Sequence, residues 1–130
     1  MNETAFRTSR VFKTAWFSKA ALKARIKDDA LCEAIKQVAK GQGDDLSGGV
    51  FKKRLNKNQH RAIIIIARAG RHWMYEYLFA KKDRKNIEDN ELAALRNLAR
   101  IYAGLTDPQI ERLRADGDIM EICNDSENQV

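Results

Sequence analysis

The hydrophobic pattern predicts three strands in the middle of the chain, at residues 50–55, 61–68 and 72–80. Each stretch has the length of a strand and is bounded by polar or glycine-containing segments. Four consecutive isoleucines, Ile63–Ile66, would place apolar side chains on both faces of a sheet, so we expect the second of these strands to be central. A tight turn at 69–71 should join it to the third strand as an antiparallel hairpin.

The third of these strands is rich in aromatic residues. Its odd-numbered positions carry Trp73, Tyr75, Tyr77 and Phe79, and its even-numbered positions include Met74, Glu76 and Leu78. Because side chains alternate along a strand, we expect the four aromatic side chains on one face, mostly in the core. Phe79 lies nearest the basic end of the hairpin and is the candidate among them for contact with an RNA base.

Apolar spacings of three and four residues predict helices before and after these strands. Residues 31–38 show this spacing on one helical face, and residues 88–103 form the best predicted helix of the chain. A shorter helix, capped by Ser18 and extending to Lys27, should follow a first strand at Arg10–Trp16.

The C-terminal part of the chain predicts one more helix and a short last strand. Thr106 and Gln109 have capping-box spacing for the helix, and Ile119–Cys123 is apolar enough for the strand. The element order predicts an α+β fold: an antiparallel core sheet packed by two N-terminal helices, with C-terminal helices and a short last strand. A chain of 130 residues predicts a single domain over residues 1–130, with disordered tails at 1–9 and 124–130.

The composition, 44% hydrophobic and 32% charged, is that of an ordinary soluble domain. The sequence shows no apolar run of membrane-spanning length and no apolar signal region, so we expect a cytoplasmic protein without membrane contact. Cys32 and Cys123 lie far apart within apolar patterns, which favours buried free thiols. Metal-ligand spacing and cofactor-binding motifs are both missing from the sequence, so we expect neither a metal nor a small-molecule cofactor.

Positive charge is concentrated around the predicted hairpin. The first 86 residues carry twenty Lys and Arg against eight Asp and Glu, whereas residues 87–130 carry four against ten. Antiparallel pairing would gather the basic clusters that flank the hairpin strands, Lys52, Lys53 and Arg54 before them and Lys81, Lys82, Arg84 and Lys85 after them. Such a patch suits a polyanion such as RNA, although two solvated faces of opposite sign would give the same counts.

Several motifs give the chain a resemblance to a known family. They are TAWFSKAAL (14–22), LCEAI (31–35), GGVFKKRL (48–55), HRAIIII (60–66), YLFAKKDRKNI (77–87), ELAALRNLAR (91–100) and DGDIMEI (116–122). In these motifs and in its element order, the chain resembles the RelE superfamily of bacterial toxins, specifically the HigB-like toxins of type II toxin–antitoxin modules. The resemblance implies a RelE-like fold, a cognate helix-turn-helix antitoxin, and cleavage of mRNA on the ribosome, which inhibits translation.

The chain departs from that family in the loop before Arg61, which is often longer, contains glycine and ends in an aromatic residue. Here the loop is NKNQ, and His60 precedes Arg61. Neighbouring cations should favour the neutral imidazole, so His60 is a candidate general base for the 2′-hydroxyl of RNA. A loop histidine without a role is the alternative, and His72, the other histidine, lies at the far end of the hairpin.

Metal-independent RNA cleavage also needs cations at the phosphoryl oxygens and an acid for the leaving oxygen. Arg61 and Arg84 are the candidate phosphate clamp, because a guanidinium can hold two oxygens and antiparallel strands place both positions at one end of the sheet. Lys81 matches the FAK motif of the family and could lower the cost of forming the alkoxide or act as the acid. We therefore expect Arg61, Lys81 and Arg84 around one scissile phosphodiester.

The remaining basic residues are candidates for RNA binding away from the cleaved bond: Lys52, Lys53, Arg54 and Lys82. Along a strand, Lys52 and Arg54 share a face that Lys53 opposes, so the three cannot serve one site. Two other functions stay open, a RelE-superfold toxin that poisons gyrase as ParE-type toxins do, and a regulatory module that binds nucleic acid. The sequence lacks a helix-turn-helix signature, which disfavours the regulator.

Overall fold

The structure, a computed structural model, describes residues 9–67 and 71–123. Within these residues the chain forms six strands and four helices, in the order β1 (Arg10–Thr14), α1 (Ala15–Lys23), α2 (Asp28–Ala39), β2 (Asp44–Asp45), β3 (Val50–Leu55), β4 (His60–Ala67), β5 (His72–Ala80), α3 (Asp89–Ala103), α4 (Asp107–Ala115) and β6 (Ile119–Ile122). This is the predicted α+β order with the two-residue β2 added. The predicted disordered tails, apart from Ser9, and the first two residues of the predicted turn at 69–71 lie outside the described residues.

All six strands form one sheet, in the order β2-β3-β4-β5-β1-β6. Strands β3, β4 and β5 are antiparallel neighbours, which confirms the predicted core of the sheet. The isoleucine strand β4 lies inside the sheet, and Ile63, Ile64 and Ile65 are fully buried. On its other side β5 pairs with β1, which is parallel to it, and β6 completes the sheet antiparallel to β1. The sheet is therefore mixed, with one parallel pair.

Helices α1 and α2 cover one face of the sheet, which we call the N-terminal face. The predicted apolar side of α2 is confirmed, since Leu31, Ala34, Ile35 and Val38 are buried there. The Tyr75 hydroxyl donates a hydrogen bond of 2.7 Å to the Leu31 carbonyl oxygen. Burial raises the pKa of Tyr75 well above its ordinary value, so the phenol stays neutral and serves as a structural link between β5 and α2.

The predicted start of α1 at Ser18 is wrong by four residues. Thr14 is the N-cap, and its hydroxyl oxygen accepts a hydrogen bond of 3.0 Å from the Phe17 N–H. The helix consequently buries Phe17 and Ala21, whereas Leu22 is 79% exposed. The alternation before residue 18 resembled a strand, but Thr14 supplies a cap that allows the helix to begin at the end of β1.

Helices α3 and α4 cover the opposite face, which we call the C-terminal face. Their buried contacts with the sheet centre on Phe12, Ile65, Met74, Ala99 and Ile110. The predicted capping box of the last helix is confirmed, and a second one begins α3. Among the described residues, no helix is long and apolar enough to cross a membrane.

A β-bulge interrupts the alternation of β5. The register passes from the pair Ile64–Tyr75 to the pair Ile63–Tyr77, so Glu76 is an extra residue in β5. Its carboxylate accepts a hydrogen bond of 2.8 Å from the hydroxyl of Tyr102 on α3. Burial raises the pKa of Glu76 above its ordinary value, and the Tyr102 hydrogen bond opposes that rise.

The bulge makes the predicted single row of aromatic side chains wrong. Trp73 and Tyr75 lie in the core of the N-terminal face, where Leu78 joins them after the bulge. Phe79 instead packs on the C-terminal face, with Tyr77 beside it. Simple alternation fails because one inserted residue changes the face of every side chain that follows it.

The glycine pair before β3 sets how closely β3 approaches β4. Gly49 has a φ of +85°, and a Cβ atom there would lie 2.9 Å from the Ile66 carbonyl oxygen. The Gly49 carbonyl oxygen accepts a hydrogen bond of 2.8 Å from the Ile66 N–H. A side chain at this position would separate the strands, so glycine fixes the pairing that carries the basic residues of β3.

A disulfide joins Cys32 on α2 to Cys123, directly after β6, so the expectation of free thiols is wrong. The two Cα atoms are 5.5 Å apart despite a sequence separation of 91 residues. Sequence spacing could not reveal this proximity, because it arises from the pairing of β6 with β1 and the packing of Ile122 in the same core as Leu31. The crosslink ties the last strand to the N-terminal helices.

Because this disulfide closes a long loop, we expect its loss to lower the free energy of unfolding by about 2–4 kcal/mol. Urea unfolding of the oxidised protein, with and without reductant, measures the difference. The double variant Cys32→Ser/Cys123→Ser is the control, since reductant should not change its midpoint. Equal midpoints for the oxidised protein and the double variant would contradict this expectation.

Candidate active site

Strand register gathers the predicted functional residues at one end of the sheet. Arg61, near the start of β4, lies between Arg54 on β3 and Phe79 on β5. His60 pairs with the last residue of β5. We call this end the basic end, and its charged or titratable side chains include Arg54, His60, Arg61, Lys81, Lys82 and Arg84.

The basic residues are divided between the two faces of the sheet. Cross-strand partners share a face, so Arg54 and Arg61 lie with Phe79 on the C-terminal face. Lys52 shares that face, and its ammonium donates a hydrogen bond of 3.2 Å to the side chain of Asn86. The predicted opposition of Lys53 is confirmed: it lies on the other face, where its ammonium donates to the Gln42 carbonyl oxygen at 3.0 Å.

Arg84 lies over two aromatic rings of β5. Its guanidinium carbon is 5.6 Å from the ring centroid of Phe79 and 6.0 Å from that of Tyr77. These distances are typical of cation–π contacts. The guanidinium also donates a hydrogen bond of 3.3 Å to the Tyr77 hydroxyl. Phe79 therefore connects the two candidate clamp residues, because Arg61 is its cross-strand neighbour and Arg84 lies against its ring.

The Arg84 guanidinium already holds a carboxylate. Both of its terminal nitrogens donate to Glu91 on α3, one of them at 3.1 Å. These hydrogen bonds, with a further one from the Glu88 N–H, hold the pKa of Glu91 below its ordinary value. The same contact raises the pKa of Arg84. A phosphate that used this edge of the guanidinium would have to displace Glu91 or bind beside it.

Arg61 is held by the loop that precedes β4. Its Nη1 donates to the carbonyl oxygens of Asn58 and His60, at 3.1 and 3.2 Å. The loop residues Asn56, Lys57 and Asn58 have φ values of 56°, 54° and 70°, in the left-handed region that asparagine tolerates better than most residues. The short NKNQ loop thus keeps the guanidinium of Arg61 close to the backbone.

Asn56 sets the tautomer of His60. Its side-chain nitrogen lies 3.2 Å from Nδ1 of His60 and 3.5 Å from the Ala24 carbonyl oxygen. With the amide donating to both acceptors, the neutral imidazole carries its proton on Nε2. In this arrangement Nδ1 accepts a hydrogen bond and Nε2 carries the proton, so neither ring nitrogen of His60 is free to act as a general base. That role would require Asn56 to present its side-chain oxygen to Nδ1 instead.

A groove runs along the N-terminal side of the basic end, between α1 and the part of β5 that follows the bulge. Its lining includes Trp16, Lys19, Lys23, His60, Lys82 and Arg84. A second cavity continues beyond His60 and includes Lys57, Lys81 and Lys82. His60 and Lys82 line both cavities, so the groove and the second cavity form one continuous surface. Arg84 borders it in the groove and Lys81 borders it in the second cavity.

Arg61, Lys81 and Arg84 therefore lie at the same end of the molecule, as expected from the topology. Arg61 is the cross-strand partner of Phe79 and Arg84 lies against its ring. Lys81 lies beside the loop between β3 and β4, where its N–H donates a hydrogen bond of 2.9 Å to the Gln59 carbonyl oxygen. His72 lies at the opposite end of β5, with its ring against Phe12. Among the described residues, no group of three or more His, Cys, Asp and Glu side chains is placed to hold a metal ion.

Sequence reasoning missed three side chains of this region. Glu91 was not assigned to Arg84, although its capping-box spacing from Glu88 marks it as a first-turn acid of α3. Asn56 was not assigned to His60, and Trp16 was placed in a strand. Trp16 instead lies on α1, where it stacks on Tyr77 with ring centroids 5.1 Å apart.

Comparison with known protein families identifies the chain. The family model described as "RelE toxin of RelE / RelB toxin-antitoxin system" matches residues 9–122. The chain therefore belongs to the RelE toxin family and is the toxin of a toxin–antitoxin system, with an antitoxin as its partner. Neither the curated proteins nor the solved structures contain a significant match to it.

We expect the Glu91 carboxyl to titrate below its ordinary value of about 4.5 because of its contact with Arg84. A lowered pKa in the folded protein stabilises the fold above the ordinary pKa, and this stabilisation disappears as the pH falls through the lowered value. Carboxyl NMR of the protein and of Arg84→Gln measures the effect, since the midpoint should rise in the variant. An unchanged midpoint would show that Arg84 does not hold this carboxylate in solution.

Proposed function

We propose that this RelE-family toxin is a HigB-like, metal-independent endoribonuclease that cleaves mRNA on the ribosome in the cytoplasm and so inhibits translation. The observation that carries the proposal is that Arg61 is the cross-strand partner of Phe79 and Arg84 lies against the Phe79 ring, on the end of the sheet where the basic clusters converge. A helix-turn-helix antitoxin is the proposed form of its partner.

The proposed reaction is an attack by the 2′-hydroxyl of RNA on the adjacent phosphorus. The 2′-oxygen loses its proton and bonds to phosphorus, the bond to the 5′-oxygen breaks, and the 5′-oxygen gains a proton. The products are a 2′,3′-cyclic phosphate and a 5′-hydroxyl. Negative charge grows on the phosphoryl oxygens, so fixed cations lower the barrier most.

Arg61 and Arg84 are the proposed clamp for the phosphoryl oxygens. Arg61 is half-buried and tied to the backbone carbonyls of Asn58 and His60, which leaves its other nitrogens for a phosphate at little cost in side-chain order. Arg84 is already paired with the Glu91 carboxylate, which would compete with a phosphate for the guanidinium. Substrate binding would therefore exchange one anion for another at this side chain. Lys81, beside the loop between β3 and β4, is the proposed acid for the leaving 5′-oxygen.

His60 is the proposed base, in the tautomer with its proton on Nδ1. That form becomes available when the Asn56 amide rotates and its oxygen accepts from Nδ1, which frees Nε2 to take the proton of the 2′-hydroxyl. Lys52, Arg54, Phe79 and Lys82 are proposed to bind RNA beside the cleaved bond. Lys53 lies on the other face, so any contact it makes with RNA would be to a different part of the strand or to the ribosome.

One observation favours a second candidate function, a toxin that poisons gyrase. The Arg84 guanidinium is already bound to Glu91, and a toxin that acts on a protein could keep this ion pair throughout its action. Such a toxin would cause DNA damage and leave transcripts whole. Measuring the DNA damage response and mRNA cleavage in the same cells separates the two functions.

We expect Arg61→Ala and Arg84→Ala each to slow cleavage by about 10²- to 10³-fold, the typical cost of removing one donor to transition-state charge. The measurement is mRNA cleavage on purified ribosomes in the presence of EDTA. Arg112→Ala is the matched control, because this arginine lies on α4 with 81% of its side chain exposed. Growth arrest with intact transcripts, or full activity in both variants, would contradict the proposal.

Replacing Asn56 with aspartate tests the role of His60. In Asn56→Asp both side-chain oxygens can only accept, so Nδ1 must carry the proton and Nε2 becomes the free base. We expect the variant to cleave several-fold faster than the wild type at neutral pH, and Asn56→Asp/His60→Ala to lose that gain. A slower Asn56→Asp variant that remains folded would mean that His60 is not the base.

A further inference from the structure

The groove beside α1 exists because β5 extends past its neighbour. Strand β1 pairs with β5 from His72 to Tyr75, whereas β5 continues to Ala80. Beyond Tyr75 the space next to β5 is bordered by α1. The helix presents Trp16, Lys19 and Lys23 to this groove, at positions that recur on one helical face.

Trp16 is a large apolar side chain with an unusual degree of exposure for its size. It is 52% exposed, although it stacks on Tyr77 with an interplanar angle of 27°. Tyr77 in turn lies 5.8 Å from Phe79, ring centroid to ring centroid. The three rings of Phe79, Tyr77 and Trp16 therefore form a stack that begins at the candidate clamp. It ends at the Trp16 indole, about half of which is exposed to solvent.

Charge in the groove is mostly positive. Lys19, Lys23, Lys82 and Arg84 line it together with one acid, Asp83. An exposed aromatic ring bordered by cations is suited to single-stranded nucleic acid, because a base stacks on the ring while its phosphates meet the cations. A duplex would hide the base faces, so the chemistry favours an unpaired strand.

We propose that this groove binds single-stranded RNA, with one unpaired base stacked on Trp16 and the neighbouring phosphates on Lys19 and Lys23. The inference rests on the proposed function, because the stack from Trp16 through Tyr77 to Phe79 ends at the proposed phosphate clamp. It adds a binding subsite on α1 to the residues that perform cleavage. The bound base belongs to a nucleotide next to the one that is cut.

The probe is a short single-stranded RNA with every 2′-hydroxyl methylated, which binds but has no nucleophile for cleavage. Its affinity for the full chain is measured by NMR, following the indole N–H signals of Trp16 and the buried Trp73. We expect the Trp16 signal to shift on binding. We expect Trp16→Ala to weaken binding by about tenfold, and Trp16→Phe to retain most of it.

Leu22→Ala is the matched control, because Leu22 is on the same helix and is even more exposed than Trp16. It should bind the RNA as the wild type does. An unshifted Trp73 signal in Trp16→Ala confirms that the core is intact. Lys19→Ala and Lys23→Ala should each make binding less dependent on salt concentration.

Unchanged RNA affinity in Trp16→Ala overturns the subsite, and continued cleavage by that variant leaves the nuclease proposal standing. Binding through Trp16 without cleavage of mRNA on ribosomes supports the subsite and overturns the nuclease proposal. The edge of β5 in this groove is also a place where an extended protein segment could add a strand. Binding of an acidic peptide at Trp16, with no binding of the RNA, overturns the subsite.

Discussion

The pairing of β4 with β5 is the constraint on which the rest of the molecule depends. It buries three isoleucines completely, and burial of each such side chain stabilises the fold by roughly 1.5–3 kcal/mol. In the same pairing Arg61 lies opposite Phe79. The segment after β5 turns back, and Arg84 in that segment lies against the Phe79 ring. The hydrophobic core and the placement of the cations therefore have a single origin.

Three cations at or near the basic end are anchored by oxygen atoms of the protein. Arg61 donates to backbone carbonyls, Lys52 to the side chain of Asn86, and Arg84 to Glu91. These contacts hold like charges in place despite their repulsion, and they order the side chains before any ligand arrives. The arrangement differs among the three: Arg84 is hydrogen-bonded to a carboxylate, Lys52 lies 3.9 Å from the Asp44 carboxylate, and Arg61 is held by backbone carbonyls.

Much of this could be predicted from the sequence, because periodicity and strand length are local signals. The isoleucine run predicted an inner strand, the spacing in α2 predicted its buried side, and the hairpin predicted that Arg61, Lys81 and Arg84 share an end of the sheet. Other features depend on contacts that no local pattern contains. The Cys32–Cys123 bond follows from where β6 pairs, and the contact of Glu91 with Arg84 follows from how α3 packs.

The bulge at Glu76 makes the length of β5 matter as much as its composition. Removal of Glu76 would leave Leu78 and Phe79 on their present faces, because the pairs Ile64–Tyr75 and Ile63–Tyr77 would become consecutive. Insertion of one more paired residue between Glu76 and Leu78 would exchange the two faces, turning an aliphatic side chain toward α3 and an aromatic one toward α1. Arg84 would then lose the ring it rests on even though every basic residue was still present. An insertion in this short stretch is accordingly more damaging to the site than most substitutions in it.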